Sequence, residues 1–340
     1  MRHPIIESHS SSALQPSPGA GAPTRASPAE FPAVQAAAGL VGFVGLGHMG
    51  SVMAANLVDA GCKVKAYVRR PERVALLDDR GLEATTNLAD LYACDLVITM
   101  LPDDSAVREI VFGRDPRMGL NGLSFGLKPG AIHLSMSTIS PAAASDAAAE
   151  HARCNQGYVA APVFGNPDAA KTRQLYIVAA GLPADVQRCQ PIFDILGQQC
   201  FVVGTDPARA NLIKLAGNVM TGSTLELLGE LFALLRKRGL DPAQFLEIMT
   251  SSMFGGRVHK IYGDKLAAQR YAASGFVIPL ALKDVRLALA EAEAANVAMP
   301  TVSVVRDRLI AGIARGYSKL DWSALGLIAA EEAGLPLEKL

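Results

Sequence analysis

The stretch Val41-Gly42-Phe43-Val44-Gly45-Leu46-Gly47-His48-Met49-Gly50 decides how this chain folds. An apolar run with strand character turns on Gly45-x-Gly47-x-x-Gly50 directly into an amphipathic helical stretch ending near Gly61. In a βαβ unit the first glycine permits the tight turn, the second lets the backbone approach a pyrophosphate, and the third lets the helix pack closely on the strand. The phosphates sit at the helix N-terminus, where free N–H groups and the helix dipole favour negative charge. Glycine spacing alone is a weak signal. Here a second strand pattern, Lys63-Val64-Lys65-Ala66-Tyr67-Val68, follows where the unit requires it. The stretch therefore predicts a dinucleotide site built on Gly45, Leu46, Gly47, His48, Met49 and Gly50.

The residues after the second strand choose between cofactors. A site for NAD places Asp or Glu about 20 residues past the glycines, where it accepts a hydrogen bond from the adenosine ribose 2′-hydroxyl. This chain has Arg69-Arg70-Pro71 at that register. A carboxylate repels a 2′-phosphate, whereas a guanidinium pairs with it through charge-assisted hydrogen bonds. Arg69 and Arg70 thus predict NADP, with NADPH preferred over NADH.

Half of the 340 residues are apolar and the formal net charge is zero, which suits a large core and, at this length, two domains. Balanced charge without a Lys/Arg-rich block argues against a nucleic-acid partner. The most hydrophobic region, Leu212 to Leu235, carries Lys214, Glu226 and Glu230, so no membrane span is expected. The six histidines show no metal-ligand clustering, and the five cysteines are scattered as reduced thiols of a cytoplasmic enzyme would be. Residues 1–39, rich in Ser, Pro, Ala and Gly and lacking a signal peptide's apolar core, are expected to be a disordered extension.

Strand and helix patterns alternate after the glycine turn, with apolar runs at Asp95–Met100 and Ala131–Ser135 each followed by a helical stretch. Such alternation implies a parallel sheet covered by helices. Gly157–Ala160, Gln174–Ala179 and Cys200–Val203 extend the sheet to about residue 205. From Pro207 to Arg238 the apolar spacing becomes helical without interruption, and all that follows also reads as helix. The predicted class is α/β: a Rossmann-type doubly wound domain over 40–205, then an all-α domain over 206–340 joined to it by a long helix. Ligands of open α/β sheets bind at the carboxyl ends of the strands. Met100-Leu101-Pro102-Asp103, Ser137-Thr138-Ile139-Ser140-Pro141 and Ala161-Pro162-Val163-Phe164-Gly165-Asn166 all fall on that rim, and Ser140-Pro141 also reads as an N-cap and N1 pair.

With those motifs, Lys214-x-x-x-Asn218 and Lys283-Asp284 in this order and spacing, the chain resembles the β-hydroxyacid dehydrogenase family from about Val41 to Leu335. That family includes 3-hydroxyisobutyrate dehydrogenases, tartronate semialdehyde reductases and glyoxylate/succinic semialdehyde reductases, and is 6-phosphogluconate dehydrogenase-like. The resemblance implies hydride transfer between a nicotinamide and a small β-hydroxy acid or the matching aldehyde acid. It makes Lys214 the catalytic residue with Asn218 beside it. It places Leu101, Pro102, Ser137 and Thr138 along the cofactor and brings Lys283 to it from the helical domain. It assigns the substrate to Ser137 and the Phe164-Gly165-Asn166 loop, and it suggests a homodimer or homotetramer built through the helical domain. Residues four apart on a helix share a face, so the Lys214 ammonium and the Asn218 carboxamide can converge on one substrate oxygen. An ordinary lysine, protonated at neutral pH, is a ready proton donor; oxidation requires a pKa lowered by desolvation or a neighbouring cation.

Three positions depart from the family pattern. Phe164-Gly165-Asn166 stands where Ser-Gly-Gly usually holds the substrate carboxylate, Ala160 replaces a common acid, and Gly217 replaces the first Asn of Lys-x-x-Asn-Asn. Phe cannot donate a hydrogen bond, so the carboxylate must use backbone N–H, Asn166 or another residue, or the substrate is bulkier and less acidic. Two other readings compete. Imine-reducing relatives generally replace the lysine that this chain keeps, and a non-catalytic scaffold would have lost it.

Overall fold

The computed structural model describes residues 39–74, 81–115, 120–272 and 275–336. The extension expected over residues 1–39 lies, up to residue 38, outside the described residues.

The strands run β1 (Leu40–Val44), β2 (Lys63–Tyr67), β3 (Glu83–Thr85), β4 (Leu96–Thr99), β5 (Gly113–Asp115), β6 (Leu120–Asn121), β7 (Ile132–Ser135), β8 (Gly157–Ala160), β9 (Val163–Phe164), β10 (Leu175–Gly181) and β11 (Gly197–Val202). β5 and β6 form a separate antiparallel pair. The main sheet has the order β11-β10-β8-β7-β4-β1-β2-β3, with β9 pairing on β10. β1 lies between β2 and β4, both parallel to it, with Gly42 opposite Lys65 on one side and Val97 on the other. The winding direction reverses there, so the crevice beyond the ends of β1 and β4 is the topological switch point.

The sheet is not wholly parallel, as alternation implied. β10 runs antiparallel to β8 and β9. The intervening chain spends its length on β9 and the short Pro167–Lys171 helix, leaving no crossover helix of the kind a parallel return requires. β3 and β9, three and two residues long, are too short to leave a period in the sequence.

Above β4 and β7, a buried polar chain crosses the sheet's covering layer. Gln156 Nε2 donates to the carbonyls of Ser124 and Leu127, so its Oε1 accepts from His151 Nδ1 at 2.7 Å. His151 Nε2 must then accept from His133 Nδ1 at 2.9 Å, and His133 Nε2 from the Thr99 hydroxyl at 2.9 Å. Every ring nitrogen is satisfied only when both imidazoles are neutral. Burial holds both below the usual imidazole pKa, and for His133 the neighbouring His151 adds to it.

After Asp206, whose side chain caps it, the Pro207–Lys237 helix runs 31 residues. It buries Lys214, Leu215, Asn218, Leu225 and Phe232, and packs against the Ile278–Ala294, Pro300–Ala314 and Leu325–Glu332 helices around a second apolar core that includes Leu282, Leu309 and Trp322. Gly229 faces Gly326 with no room for a Cβ between the two helices. Among the described residues no helix is long and apolar enough to cross a membrane.

Candidate active site

The three glycines shape the turn after β1. Gly45 takes φ +101°, and a Cβ there would run into the Met100 carbonyl. A Cβ on Gly50 would strike the Gly45 carbonyl, whereas one on Gly47 would meet nothing within 4 Å. The turn is thus tight at both ends and open in the middle, where a ligand's phosphates would approach. The His48–Asp59 helix starts at Gly47 without a side-chain cap, so its first N–H groups stay available to an anion.

A cavity of about 420 Å³ opens beside this turn, lined by Gly45, Leu46, Arg69, Arg70, Leu101 and Pro102 among others. The residues present fit a dinucleotide: an open glycine cradle, an uncapped helix start and two guanidinium groups at the far end. An acid nonetheless approaches Arg69 through space. Glu109, on the Asp104–Phe112 helix, lines the same cavity. Its carboxylate lies 3.6 Å from Arg69 Nη2 and 2.8 Å from Arg114 Nε. A residue forty positions downstream gives no local signal of that approach.

The rim loops are tied by side chains. Ser137 is fully buried; its hydroxyl accepts from Leu101 N–H at 2.9 Å and donates to Thr99 O at 3.3 Å. It joins the ends of β4 and β7 and offers no exposed hydroxyl to a ligand. Asp104 receives the Ser140 N–H at 2.9 Å and the Ser140 hydroxyl at 2.6 Å, and that hydroxyl also caps the Pro141–Arg153 helix. Lys283, from the Ile278–Ala294 helix, donates to the Thr138 carbonyl and pairs with Asp284 at 2.8 Å.

Lys214 and Asn218 meet as the four-residue spacing predicts. Lys214 Nζ donates to Asn218 Oδ1 at 2.9 Å, and Asn218 Nδ2 donates to Asp284 Oδ2 at 2.5 Å. Lys214 is 8% exposed, and Asp284 is 1% exposed. Burial lowers the Lys214 pKa to about 8, with the Asp284 carboxylate opposing and the Lys283 ammonium assisting. The lysine is therefore not ordinary: desolvation and, to a lesser degree, the neighbouring Lys283 cation lower its pKa. Two of its three N–H bonds remain for a ligand.

Phe164 lies over this ammonium, with Nζ 4.4 Å from the ring centroid. A Cβ on Gly217 would overlap the same ring. Asn166 Oδ1 accepts from the Ala169 N–H at 2.9 Å as a helix cap, which leaves its amide nitrogen as the donor for a substrate. Gly165 needs its φ of +143°. Phe164, Gly165 and Asn166 line a second cavity of about 330 Å³ with Met49, Lys214 and Asn218. Its other wall holds Arg257, Ile261, Tyr262, Phe276 and Trp322, none of which the sequence singled out. They come from three separate segments and carry no motif. Asp284 did have a signal, its place in the Lys283-Asp284 pair. Among the described residues no cluster of three or more His, Cys, Asp or Glu could hold a metal ion.

Residues 40–204 match the family described as the NAD binding domain of 6-phosphogluconate dehydrogenase. Residues 208–337 match the one described as NAD-binding of NADP-dependent 3-hydroxyisobutyrate dehydrogenase. The chain is 40% identical to the uncharacterized oxidoreductase YfjR of Bacillus subtilis over 84% of this chain and 98% of that one. It is 31% identical to 3-hydroxyisobutyrate dehydrogenase of Pseudomonas aeruginosa, over 78% and 90% of the two chains. The crystal structure of 3-hydroxyisobutyrate dehydrogenase from Salmonella typhimurium shares the fold, with a TM-score of 0.74 at 23% identity over 85% of this chain and 99% of that one. Sheet, glycine turn and helical second half together define an NAD(P)-dependent dehydrogenase acting on a CH–OH group. The chain belongs to the β-hydroxyacid dehydrogenase family.

Proposed function

We propose that this enzyme interconverts a small hydroxy acid and its aldehyde or 2-oxo acid with NADPH as the preferred cofactor, and that Lys214 is the proton donor and acceptor. The observation that carries this reading is the buried Lys214 ammonium, held by Asn218 on the wall of a cavity beside the switch point. A nicotinamide cofactor held by the glycine turn, Arg69 and Arg70 would supply or accept the hydride when bound. Lys214 has N–H bonds left to reach the substrate oxygen, where the ammonium stabilises the developing charge and passes a proton. Asn218 fixes the ammonium through one carboxamide oxygen, while Asp284 fixes Asn218. A pKa of about 8 leaves the group about nine-tenths protonated at pH 7 and half neutral at pH 8, so one residue serves both directions.

Arg69 and Arg70 support NADPH. Glu109 holds Arg114 more closely than Arg69, and half of the Arg69 side chain remains exposed for a 2′-phosphate. Ile213, Met220, Leu227 and Leu234 recur every seven residues on the long helix and are all exposed, a stripe that supports a homodimer or homotetramer. The test is NADPH consumption against glyoxylate, succinic semialdehyde, methylmalonate semialdehyde, tartronate semialdehyde and cyclic imines. Reduction of an aldehyde or oxo acid is expected; turnover of imines alone would overturn the reading.

A further inference from the structure

Two departures from the family pattern are a single structural change. With the Phe164 ring where it stands, a Cβ on Gly217 would overlap it, so Phe164 in place of Ser requires Gly217 in place of Asn. Phe164 puts an aromatic face where a hydroxyl usually stands on the cavity wall next to Lys214, and Gly217 leaves the space that the ring takes. That face attracts the ammonium, 4.4 Å away, but gives no hydrogen bond to a carboxylate. A carboxylate attached directly to the reacting carbon would lie against the ring unpaired, which is costly in a buried site. In the dehydrogenase reading Lys214 is engaged at the reacting oxygen.

The rest of the cavity supplies what this wall lost, in another place. Ile261, Tyr262, Phe276 and Trp322 line it. Tyr262 and Phe276 each stand edge-on to the Trp322 ring, at centroid separations of 5.7 Å and 4.8 Å, giving a rigid apolar enclosure. Arg257, at the start of the Arg257–Ala267 helix, lines the same cavity, is exposed at its mouth, and has no ion-pair partner among the described residues. Lys283, by contrast, is already committed to Asp284 and the Thr138 carbonyl.

Resting on the dehydrogenase reading above, we propose that Phe164 and Gly217 act as a coupled specificity element. They suit the site to an aldehyde acid, or its hydroxy acid, in which an apolar aryl or branched-alkyl body separates the reacting carbon from the carboxylate, and Arg257 receives that carboxylate. The apolar body fills the aromatic enclosure and the anion reaches the mouth. The carbonyl is reduced by two electrons to CH–OH at the expense of one NADPH oxidised. Its oxygen takes a proton from Lys214, which regains one from solvent, and the carboxylate is unchanged.

The test compares kcat/KM for 4-carboxybenzaldehyde, benzaldehyde, succinic semialdehyde and glyoxylate in wild type, F164S, G217N, the double variant and R257A. Trp322, the only tryptophan of the chain, reports occupancy independently of turnover, through fluorescence quenching by 4-(hydroxymethyl)benzoate. The wild type should prefer 4-carboxybenzaldehyde to glyoxylate. R257A should reduce the ratio of 4-carboxybenzaldehyde to benzaldehyde by roughly 10- to 100-fold, the usual effect of losing one charge-assisted contact, and weaken the quenching in parallel. G217N should be worse than the double variant on every substrate, and the double variant should shift preference toward glyoxylate. Wild-type preference for glyoxylate, or an unchanged ratio in R257A, would overturn the proposal while leaving the reductase reading standing. Failure to reduce any carbonyl would overturn both.

Discussion

Asp284→Asn should move the pH dependence of reduction to lower pH. The Asp284 carboxylate is connected to Lys214 Nζ through Asn218 by hydrogen bonds of 2.5 Å and 2.9 Å, which sets a charge separation on the order of 6 Å. With an effective dielectric constant of about 20, a unit charge at that distance contributes ~2.8 kcal/mol, or about 2 pKa units. Asp284 is what opposes the downward pull of burial on Lys214. Its neutralisation also leaves the Lys283 charge uncompensated, and both changes act in the same direction. The Lys214 pKa should fall from about 8 by on the order of one to two units. At pH 8 the ammonium fraction would drop from about one half to a tenth or less. Asparagine keeps an oxygen to accept from Asn218, so the geometry has the means to persist. The assay is kcat/KM for NADPH-dependent reduction between pH 5.5 and 10, with its midpoint compared in the two proteins. A midpoint that stays put or rises would refute the electrostatic reasoning. A lowered plateau without a shift would show that Asp284 only positions Asn218.

Arg69→Ala should weaken NADPH by roughly 10- to 150-fold, the loss of one charge-assisted contact worth about 1.5–3 kcal/mol, with NADH little affected; calorimetric titration of both cofactors checks it, and unchanged discrimination removes the argument. His133 and His151 are held neutral by burial, so below about pH 6.5 the unfolded chain binds protons that the folded one does not. Stability from this pair should therefore be fully present above that pH and decline beneath it, by up to ~1.4 kcal/mol per pH unit for each histidine. Urea unfolding at pH 7.5, 6.5 and 5.5 measures this, with a smaller slope expected for His151→Gln and an identical slope counting against it. Met220→Glu with Leu227→Glu places charges in the exposed stripe of the long helix and should convert the proposed oligomer to monomer in light scattering; a monomeric wild type would contradict the assembly.

The fold was legible where the sequence repeats a period. The glycine turn, β1, β2, β4, β7 and the long helix lie where alternation and 3.6-residue spacing put them, because one buried face enforces each pattern. The antiparallel entry of β10 was not legible, since it depends on the length and course of the Ala161–Gln174 connection rather than on any period within β10. Lys214 and Asn218 were readable as a pair because helix geometry alone brings them together. Glu109, Arg257 and Trp322 reach their cavities through tertiary packing of segments far apart in the chain, and no spacing records that. Gly217 and Phe164 looked like two unrelated departures until a shared volume linked them. Ser137, which the resemblance places along the cofactor and substrate, spends its hydroxyl on the Leu101 N–H and the Thr99 carbonyl, a tertiary link that no spacing records.

The central claim is that Lys214 moves the proton at the substrate oxygen, and the most direct measurement is turnover and NADPH binding of Lys214→Ala side by side. Removing a positioned acid–base group should lower kcat by about 10²–10⁴-fold. The NADPH dissociation constant from calorimetry should stay near the wild-type value, because the glycine turn and Arg69 line a different cavity from Lys214. Lys214→Arg should fail as well, since a guanidinium does not release its proton near neutral pH. A folded Lys214→Ala protein that binds NADPH and still turns over at the wild-type rate would contradict the account, and equal loss of binding and turnover would make the lysine structural.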